Sequence, residues 1–376
     1  MSTEITERVV EVEVPINIAL IKYWGKKDED LIIPVNNSVS LNIDDVFART
    51  RVRCLWNGTT DSVSINNVVV DLKRSKRFLR CFDYARLLIR RRSMSYNNSH
   101  SVTGTQYSFQ VSSTTNFPVG AGLASSAAGF AAIALAIGVM FDFTMSEVSA
   151  LARIGSGSAC RSVFGGLVEW NSGVEPSGID SISKQLLPEG SWPDLRAVII
   201  VLDESEKEIG SSEGMRRSVN TSELLSHRAE VIVPNRIKRL HEAFKAHDFA
   251  EFARITMLDS NQLHAICLDT LPPLKYMSDA SWLVIHAVNE FNSRGQIRAA
   301  YTFDAGPNAC VFIRHDDVPS FLLQLSDYLV IPRELPSVLE YVGCISQSAT
   351  KRKPMSTFVV KNIVISRVGG SPKVLS

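Results

Sequence analysis

Apolar and charged residues alternate from the start of the chain. Val10, Val12 and Val14 are separated by Glu11 and Glu13, a period of two that predicts an opening strand with one buried face. The strand runs into Pro15-Ile-Asn17-Ile-Ala-Leu-Ile-Lys22-Tyr23-Trp24-Gly25-Lys26-Lys27, an apolar segment ending in lysines and aromatics. Residues 47–72 read as further short strands with turns at Asn57-Gly58 and Asn66-Asn67. Over Lys73–Arg92 the period changes: Phe78, Phe82, Ala85 and Ile89 recur at helical spacing, predicting an amphipathic helix. Ser93–Thr105 is polar and reads as a loop, and Tyr107, Phe109 and Val111 alternate again as a strand. Phe130–Phe141 has almost no polar side chain and reads as a buried helix, with more helix over Ser146–Arg153. Glu175–Asp194, polar with Gly and Pro, reads as a link between domains, and Leu195–Leu202 as a buried strand. Three or more helices follow through Asn292, then a strand at Cys310–Ile313, then a helix and a closing strand (Val359–Val364, then Ile365). Strands first, then alternating helices and strands, are compatible with an α+β chain without identifying it; the length suggests roughly two domains, divided at the Glu175–Asp194 link into residues 1–190 and 191–376.

Composition narrows the function classes. Net charge is +1 over 376 residues, so nothing global calls for nucleic acid or an acidic membrane. Nine of the twenty residues in Lys73–Arg92 are Lys or Arg, but the aromatics there share the buried stripe, so the basic face reads as solvated. The six cysteines (54, 81, 160, 267, 310, 344) form no Cys-x-x-Cys pair, which points to a reduced protein without a zinc site. Met1–Arg8 is polar and partly acidic, unlike a secretory signal, so a cytoplasmic location is expected. No charge occurs from Gln110 through Phe141, yet Asn116, Pro118 and the glycines interrupt the run, so it reads as a soluble core rather than a membrane span.

The candidate chemistry gathers in four stretches. Asn116-Phe117-Pro118-Val119-Gly120-Ala121-Gly122-Leu123-Ala124-Ser125-Ser126 lies between a strand and a helix, the order that presents backbone N–H groups and a helix N-terminus to an anion. Ser125 and Ser126 either cap that helix or contact a phosphate or its metal. Lys22, Tyr23, Trp24, Gly25 and Lys26 combine charge, aromatic faces and hydrogen-bond tips suited to an anionic or nucleotide ligand. Gly155-Ser156-Gly157-Ser158-Ala159-Cys160-Arg161 sets small hydroxyls before one arginine, either a tight turn or a pocket for an oxyanion-rich ligand. Asp304, ahead of Ala305-Gly306-Pro307-Asn308, is an Asx-turn residue or a catalytic carboxylate. Ser211 and Ser212, at the start of another helix, cap it or face the ligand, and His264, without a partner at metal or triad spacing, reads as structural.

These strings resemble one family. Gly122-Leu-Ala-Ser-Ser126 is similar to the phosphate loop of the GHMP kinase superfamily, with Ala124 replacing a glycine. Asn17-Ile-Ala-x-x-Lys22-Tyr-Trp-Gly-Lys26, Pro34-Val-Asn-Asn-Ser38-Val-Ser40, Gly155-Ser-Gly-Ser-Ala-Cys-Arg161-Ser-x-Phe-Gly-Gly166 and Asp304-Ala-Gly-Pro-Asn308 resemble the diphosphomevalonate decarboxylase branch, in the family's order over nearly the whole chain. The resemblance implies a GHMP-kinase-like two-domain fold: an α/β N-terminal domain carrying the phosphate loop, then a ferredoxin-like α+β domain, with the site between them. It implies that ATP with Mg²⁺ phosphorylates the tertiary hydroxyl of (R)-5-diphosphomevalonate. Phosphate and CO₂ then leave and isopentenyl diphosphate forms, in the mevalonate pathway of isoprenoid and sterol biosynthesis. By the same resemblance Asp304 accepts or orients the hydroxyl proton, and Arg161, oriented by Asn17, holds the substrate carboxylate. The diphosphate is expected against Lys22–Lys26, Arg74 and Ser156–Ser158, with Ala159, Cys160 and Ser212 also among the substrate-binding residues. Asn116, Pro118 and Gly120–Ser126 are expected to cradle ATP, with Ser125 at the transferred phosphoryl group or its metal. A homodimer is the family's precedent. The rivals are a superfamily kinase that stops at the phosphorylated product, a catalytically silent diphosphate binder, and a nucleic-acid binder using Lys73–Arg92.

Overall fold

The computed structural model describes residues 7–95, 106–117, 125–205, 207–293, 295–332, 334–339 and 354–376. In chain order the N-terminal half contains β1 (Glu7–Ile21), β2 (Lys26–Asp28), β3 (Ile33–Pro34), β4 (Ser38–Trp56), β5 (Ser62–Ile65) and β6 (Val68–Val69). Helix α1 (Lys76–Ser95), β7 (Tyr107–Thr115), α2 (Ser125–Met140), α3 (Met145–Gly155), α4 (Ala159–Ser162), β8 (Leu167–Trp170) and β9 (Ser183–Leu187) follow. The C-terminal half contributes β10 (Leu195–Val201), then α5 (Ser211–Thr221), α6 (Glu223–His227), α7 (Val233–Lys245), α8 (Phe249–Asp269) and α9 (Asp279–Asn292). It closes with β11 (Ala299–Phe303), β12 (Ala309–Arg314), α10 (Val318–Ser326), α11 (Pro336–Leu339), β13 (Asn362–Arg367) and β14 (Lys373–Val374).

Two sheets organise the molecule. The first runs β14-β1-β4-β7-β5-β6, with β8 pairing β4 and β9 pairing β8; the second is antiparallel in the order β11-β12-β10-β13. Strand β1 pairs antiparallel with β4 along nearly its whole length, and its register shifts between Pro15 and Ile16. Proline has no N–H to give the ladder, so a bulge is where a central strand can tolerate it. Beyond Pro15 every residue to Ile21 is buried, because helix α2 covers one face and the second half of the molecule covers the other. Within residues 47–72, expected as short strands, the first ten belong to the long strand β4, which continues from Ser38, and the short strands β5 and β6 follow.

The stripe of α1 follows its periodicity: Phe78, Phe82, Ala85 and Ile89 are buried in a core with Phe109 of β7 and Phe130 of α2. Burying a phenylalanine side chain of this kind contributes about 1.5–3 kcal/mol. A second core joins Ile16, Leu20 and Leu41 of the first sheet to Ile199 and Phe312 of the second through Phe244 of α7 and Phe252 of α8. The halves thus share an apolar layer built of helices α7 and α8. Two expectations change. Within Glu175–Asp194, residues Ser183–Leu187 form edge strand β9 instead of a linker, and Trp192 is buried against Phe244 and Phe252. The final residues return to the first half, where β14 pairs with β1, so the last turn of chain does not stay with the C-terminal sheet. Among the described residues no helix is long and apolar enough to cross a membrane.

Candidate active site

Between the two sheets lies a cleft of about 380 Å³. Lys22 follows the last residue of β1, and Asp304 follows the last residue of β11, so the two sheets deliver opposite charges to one place. Lys22 Nζ lies 2.6 Å from Asp304 Oδ1; the lysine side chain is 2% exposed and the carboxylate 30%. A carboxylate facing a substrate cavity with one oxygen held by a buried ammonium is fixed in direction while its other oxygen remains available to a hydroxyl.

Arg161, on the short helix α4, lines the same cleft and is buried. Its Nε donates to Asn17 Oδ1 at 3.2 Å and Ser40 Oγ at 2.9 Å, and its Nη1 donates to Ser38 Oγ at 2.5 Å. Asn17 is itself fixed, donating through Nδ2 to the Ser158 carbonyl at 2.9 Å and to Ser162 Oγ at 2.8 Å. All these acceptors are neutral, and among the described residues no carboxylate forms a salt bridge with Arg161. Burial pulls the guanidinium's pKa below its ordinary value, with the Cys160 and Asp304 charges working the other way. A buried cation held by neutral groups favours an anionic ligand as its counter-ion.

Around this pair stand further donors. Tyr23 packs edge-on against Trp170, and its hydroxyl is buried with no hydrogen-bond partner among the described residues. Its pKa is raised by burial, then by Glu29 and Cys160. Lys26 reaches Glu29 Oε2 at 2.6 Å, and both Lys26 and Ser212 line the cleft. Gly25 has φ +92°, and a Cβ there would press on Val35, so the turn after Trp24 requires glycine. Gly157 lies where a Cβ would come within 2.9 Å of both Trp170 and the Tyr23 hydroxyl, so glycine lets this turn pack closely on the two rings. The first turn of α2 opens on the cleft through Ser126, whose Oγ is 3.3 Å from that of Ser156.

Several expected residues stand elsewhere. Arg74 lies in the turn before α1, 90% exposed and 3.4 Å from Asp71, outside the cleft lining; Arg77 in the first turn of α1 lines it instead. The Asp71 carbonyl accepts from the N–H groups of Arg74 and Ser75 in the turn before α1, which begins at Lys76. Asn116 spends its amide on strand β4, accepting from the Phe47 N–H at 2.9 Å and donating to the Asp45 carbonyl at 2.8 Å. Gly25, Ala159 and Cys160 lie behind the cleft wall; Cys160 packs with Trp170, and burial pushes its thiol up to about 11. Trp24 is buried with its Nε1 donating to Ser218 Oγ at 2.9 Å, and it also forms part of the lining. Pro118 and Gly120–Ala124 lie outside the described residues, as does the side chain of Ser125.

Two family models account for the chain, "Diphosphomevalonate decarboxylase-like N-terminal domain" over residues 14–183 and "Mevalonate 5-diphosphate decarboxylase C-terminal domain" over 197–375. The human diphosphomevalonate decarboxylase is 39% identical over 392 residues, covering 100% of this chain and 96% of its own. The chain belongs to the diphosphomevalonate decarboxylase family. The solved mevalonate diphosphate decarboxylase from Trypanosoma brucei superposes with a TM-score of 0.85 at 34% identity, covering 98% of each chain. A structure of MDDEF in complex with MVAPP, AMPPCP and magnesium gives a TM-score of 0.76 at 27% identity, over 98% of this chain and 99% of that one. The fold is the GHMP-kinase-like α+β arrangement of these decarboxylases.

Within this decarboxylase-family chain, sequence reasoning passed over two lining cations. Arg77 carried no signal apart from its place at the edge of the α1 stripe. Burial lowers its pKa, against Tyr23 and Glu29, and its Nη2 lies 3.5 Å from Ser212 Oγ. Lys207 is the one cation in Asp203–Met215 and precedes Gly-Ser-Ser, a signal that could have singled it out. Its Nζ donates to the Ala305 carbonyl at 2.6 Å and to Ser211 Oγ at 3.0 Å; burial lowers its pKa while Asp304 opposes the shift.

Proposed function

We infer that the cleft carries out the family's reaction, ATP-dependent decarboxylation of (R)-5-diphosphomevalonate to isopentenyl diphosphate with release of ADP, phosphate and CO₂. The observation that carries this reading is the pairing of two differently held groups in one cavity: a directed carboxylate, Asp304 with Lys22, and an anion-seeking guanidinium, Arg161 on Asn17, Ser38 and Ser40. A tertiary alcohol is a weak nucleophile and hydroxide a poor leaving group, so the hydroxyl must first be phosphorylated. Asp304 accepts or orients its proton for attack on the γ-phosphoryl group. Arg161 binds the substrate carboxylate and holds the bond to be broken in line with the departing phosphate. As phosphate leaves, positive charge grows at the tertiary carbon, and the carboxylate's electrons collapse to CO₂ and the new double bond. Asp304 and the phosphates offset that charge.

The diphosphate lies against Tyr23, Lys26, Arg77, Ser212 and the backbone of Ser156–Ser158; the unpartnered Tyr23 hydroxyl supports that assignment. ATP phosphates lie at the N-terminus of α2 with Ser125 and Ser126, where backbone N–H groups and the helix dipole favour an anion. Lys207, above Asp304, adds charge toward the transferred phosphoryl group. Among the described residues no group of three or more His, Cys, Asp or Glu is gathered as a metal cage. That would suit Mg²⁺, which keeps water and phosphate oxygens and takes one or two protein oxygens; Ser125 and Ser126 would hold it. When bound, Mg²⁺ neutralises the phosphate oxygens. The relative solved with MVAPP, AMPPCP and magnesium supports this ligand set. The homodimer and the cytoplasmic location belong to the same proposal. Five buried free cysteines support a reducing compartment, and sedimentation of the purified protein tests the dimer.

The test is stoichiometry. With ATP, Mg²⁺ and substrate carrying carbon-14 in the carboxyl group, ADP and labelled CO₂ appear in equal amounts. ADP without CO₂ would make the protein a kinase, and neither product would make it a silent binder.

A further inference from the structure

Lys22 and Asp304 come from different sheets, each at the point where its strand ends and the backbone loses its ladder partners. Helix α8 reaches both points. Asp259 Oδ1 accepts the Lys22 backbone N–H at 2.8 Å and Arg228 Nη2 at 2.6 Å, and Arg228 Nη2 in turn donates to the Lys22 carbonyl at 3.2 Å. Asn36 Nδ2 reaches that carbonyl at 3.1 Å. Both polar backbone groups of Lys22 are therefore held. The next residue of α8, Ser260, accepts the Phe303 backbone N–H at 2.9 Å, and Phe303 immediately precedes Asp304. His264, about one turn further along, packs edge-on against the Phe303 ring.

The Asp259 cluster is fully desolvated: the Asp259 and Arg228 side chains are 0% exposed, and Arg236 Nη1 closes on Asp259 Oδ2 at 2.8 Å. Charges buried so completely are weak evidence for stability, since apolar residues of equal volume often serve as well or better. What a hydrogen-bonded buried cluster does supply is a fixed position for whatever it holds.

We propose that Asp259 and Ser260 are positioning residues for the decarboxylation: adjacent on α8, they hold the Lys22 backbone and the residue before Asp304, and so set the Lys22–Asp304 pair in the cleft. One helix thereby gauges the distance between groups delivered by two sheets, which the shared apolar layer alone would leave to side-chain packing. Neither residue lines the substrate cavity, so their effect falls on the chemical step and not on substrate affinity. The inference rests on the reading of Asp304 and Lys22 as catalytic.

Steady-state kinetics of Ser260→Ala, Ser260→Thr and Asp259→Asn, normalised to the folded fraction from urea melts, test it. Ser260→Ala leaves the Phe303 N–H without its partner. It is expected to lower kcat about tenfold or more, in keeping with the cost of small misplacements of catalytic groups, with KM for both substrates within about twofold. Ser260→Thr, which keeps the hydroxyl, is expected to recover most of that loss, and Asp259→Asn to lower kcat in the same way. If Asp259→Asn does not fold, the two Ser260 variants decide. Wild-type kcat per folded enzyme in Ser260→Ala, or a raised KM at unchanged kcat, would overturn the proposal. Asp304→Asn run in parallel separates the two levels. A dead Asp304→Asn beside a wild-type Ser260→Ala defeats this inference alone, whereas an active Asp304→Asn defeats the reading beneath it.

Discussion

Arg161 and Arg228 are both buried guanidiniums, and they are held in opposite ways. Arg228 pairs with Asp259 through both of its terminal nitrogens, at 2.6 and 3.0 Å, so its charge is answered inside the protein. Arg161 has only an amide and two hydroxyls, Asn17, Ser38 and Ser40, and it lines the cleft. A third, Arg153, donates to the backbone carbonyls of Leu31 and Gly178 away from the cleft. The difference is between a charge answered inside the protein and one left open to the cleft. Neutral acceptors orient Arg161 without neutralising it, and under the function proposed above its counter-ion is the substrate carboxylate. In the Asp259 cluster the same chemistry is closed on itself and serves to fix Lys22.

The comparison breaks most sharply on substitution of the arginines. Arg161→Gln should lower kcat/KM by about 10²–10³-fold, the usual cost of removing one oriented donor at a developing charge. Its urea midpoint should stay close to wild type, because no internal ion pair is lost. Arg228→Met should do the reverse in the urea melt. It leaves Asp259 with Arg236 as its cation and the Lys22 N–H as a donor, so it should lose about 3 kcal/mol of stability, near the lower end for a broken buried pair. Equal stability losses in the two variants would erase the distinction.

Protonation offers a second route. Burial, helped by the Lys22 charge and opposed by Asp304, pushes the His264 pKa down to about 4 from 6.5. Above pH 6.5 both folded and unfolded chains carry this histidine neutral, so it imposes no cost. As pH falls from 6.5 toward 4 the unfolded chain takes up a proton that the folded one refuses, and stability falls by on the order of 3 kcal/mol. Urea midpoints between pH 7.5 and 4.5 should show that decline, and His264→Asn should flatten it.

The smallest expected effect concerns the cleft rim. Arg77→Ala should raise KM for diphosphomevalonate about tenfold, equivalent to roughly 1.4 kcal/mol of one charged contact, while Arg74→Ala should leave it unchanged. An equal rise in both would restore the turn before α1 to the site.

Much of this was legible in the chain. The alternation at Val10–Val14 and Tyr107–Val111 and the stripe of α1 follow from side-chain periodicity, and they appear where that periodicity puts them. The strings around Lys22, Arg161 and Asp304 named residues that the fold brings to one cleft, because their chemistry is local. Strand β9 was hidden since Ser183, Lys184 and Gln185 form a polar edge without apolar alternation. Arg77 lines the cleft and Arg74 does not, a difference the chain hid because a helix start depends on one turn, where the side chain of Asp71 accepts from the Lys73 N–H. Asp259 carried no signal at all: its partner Lys22 lies 237 residues away, and only the fold brings them together.

The most direct test of the account is Asp304→Asn assayed for ADP and labelled CO₂, with substrate binding measured alongside by calorimetry. The account predicts that both products fall together by about 10²–10⁴-fold, the range of a lost general base, while Kd for diphosphomevalonate stays within about tenfold of wild type. CO₂ released at the wild-type rate by Asp304→Asn would contradict it.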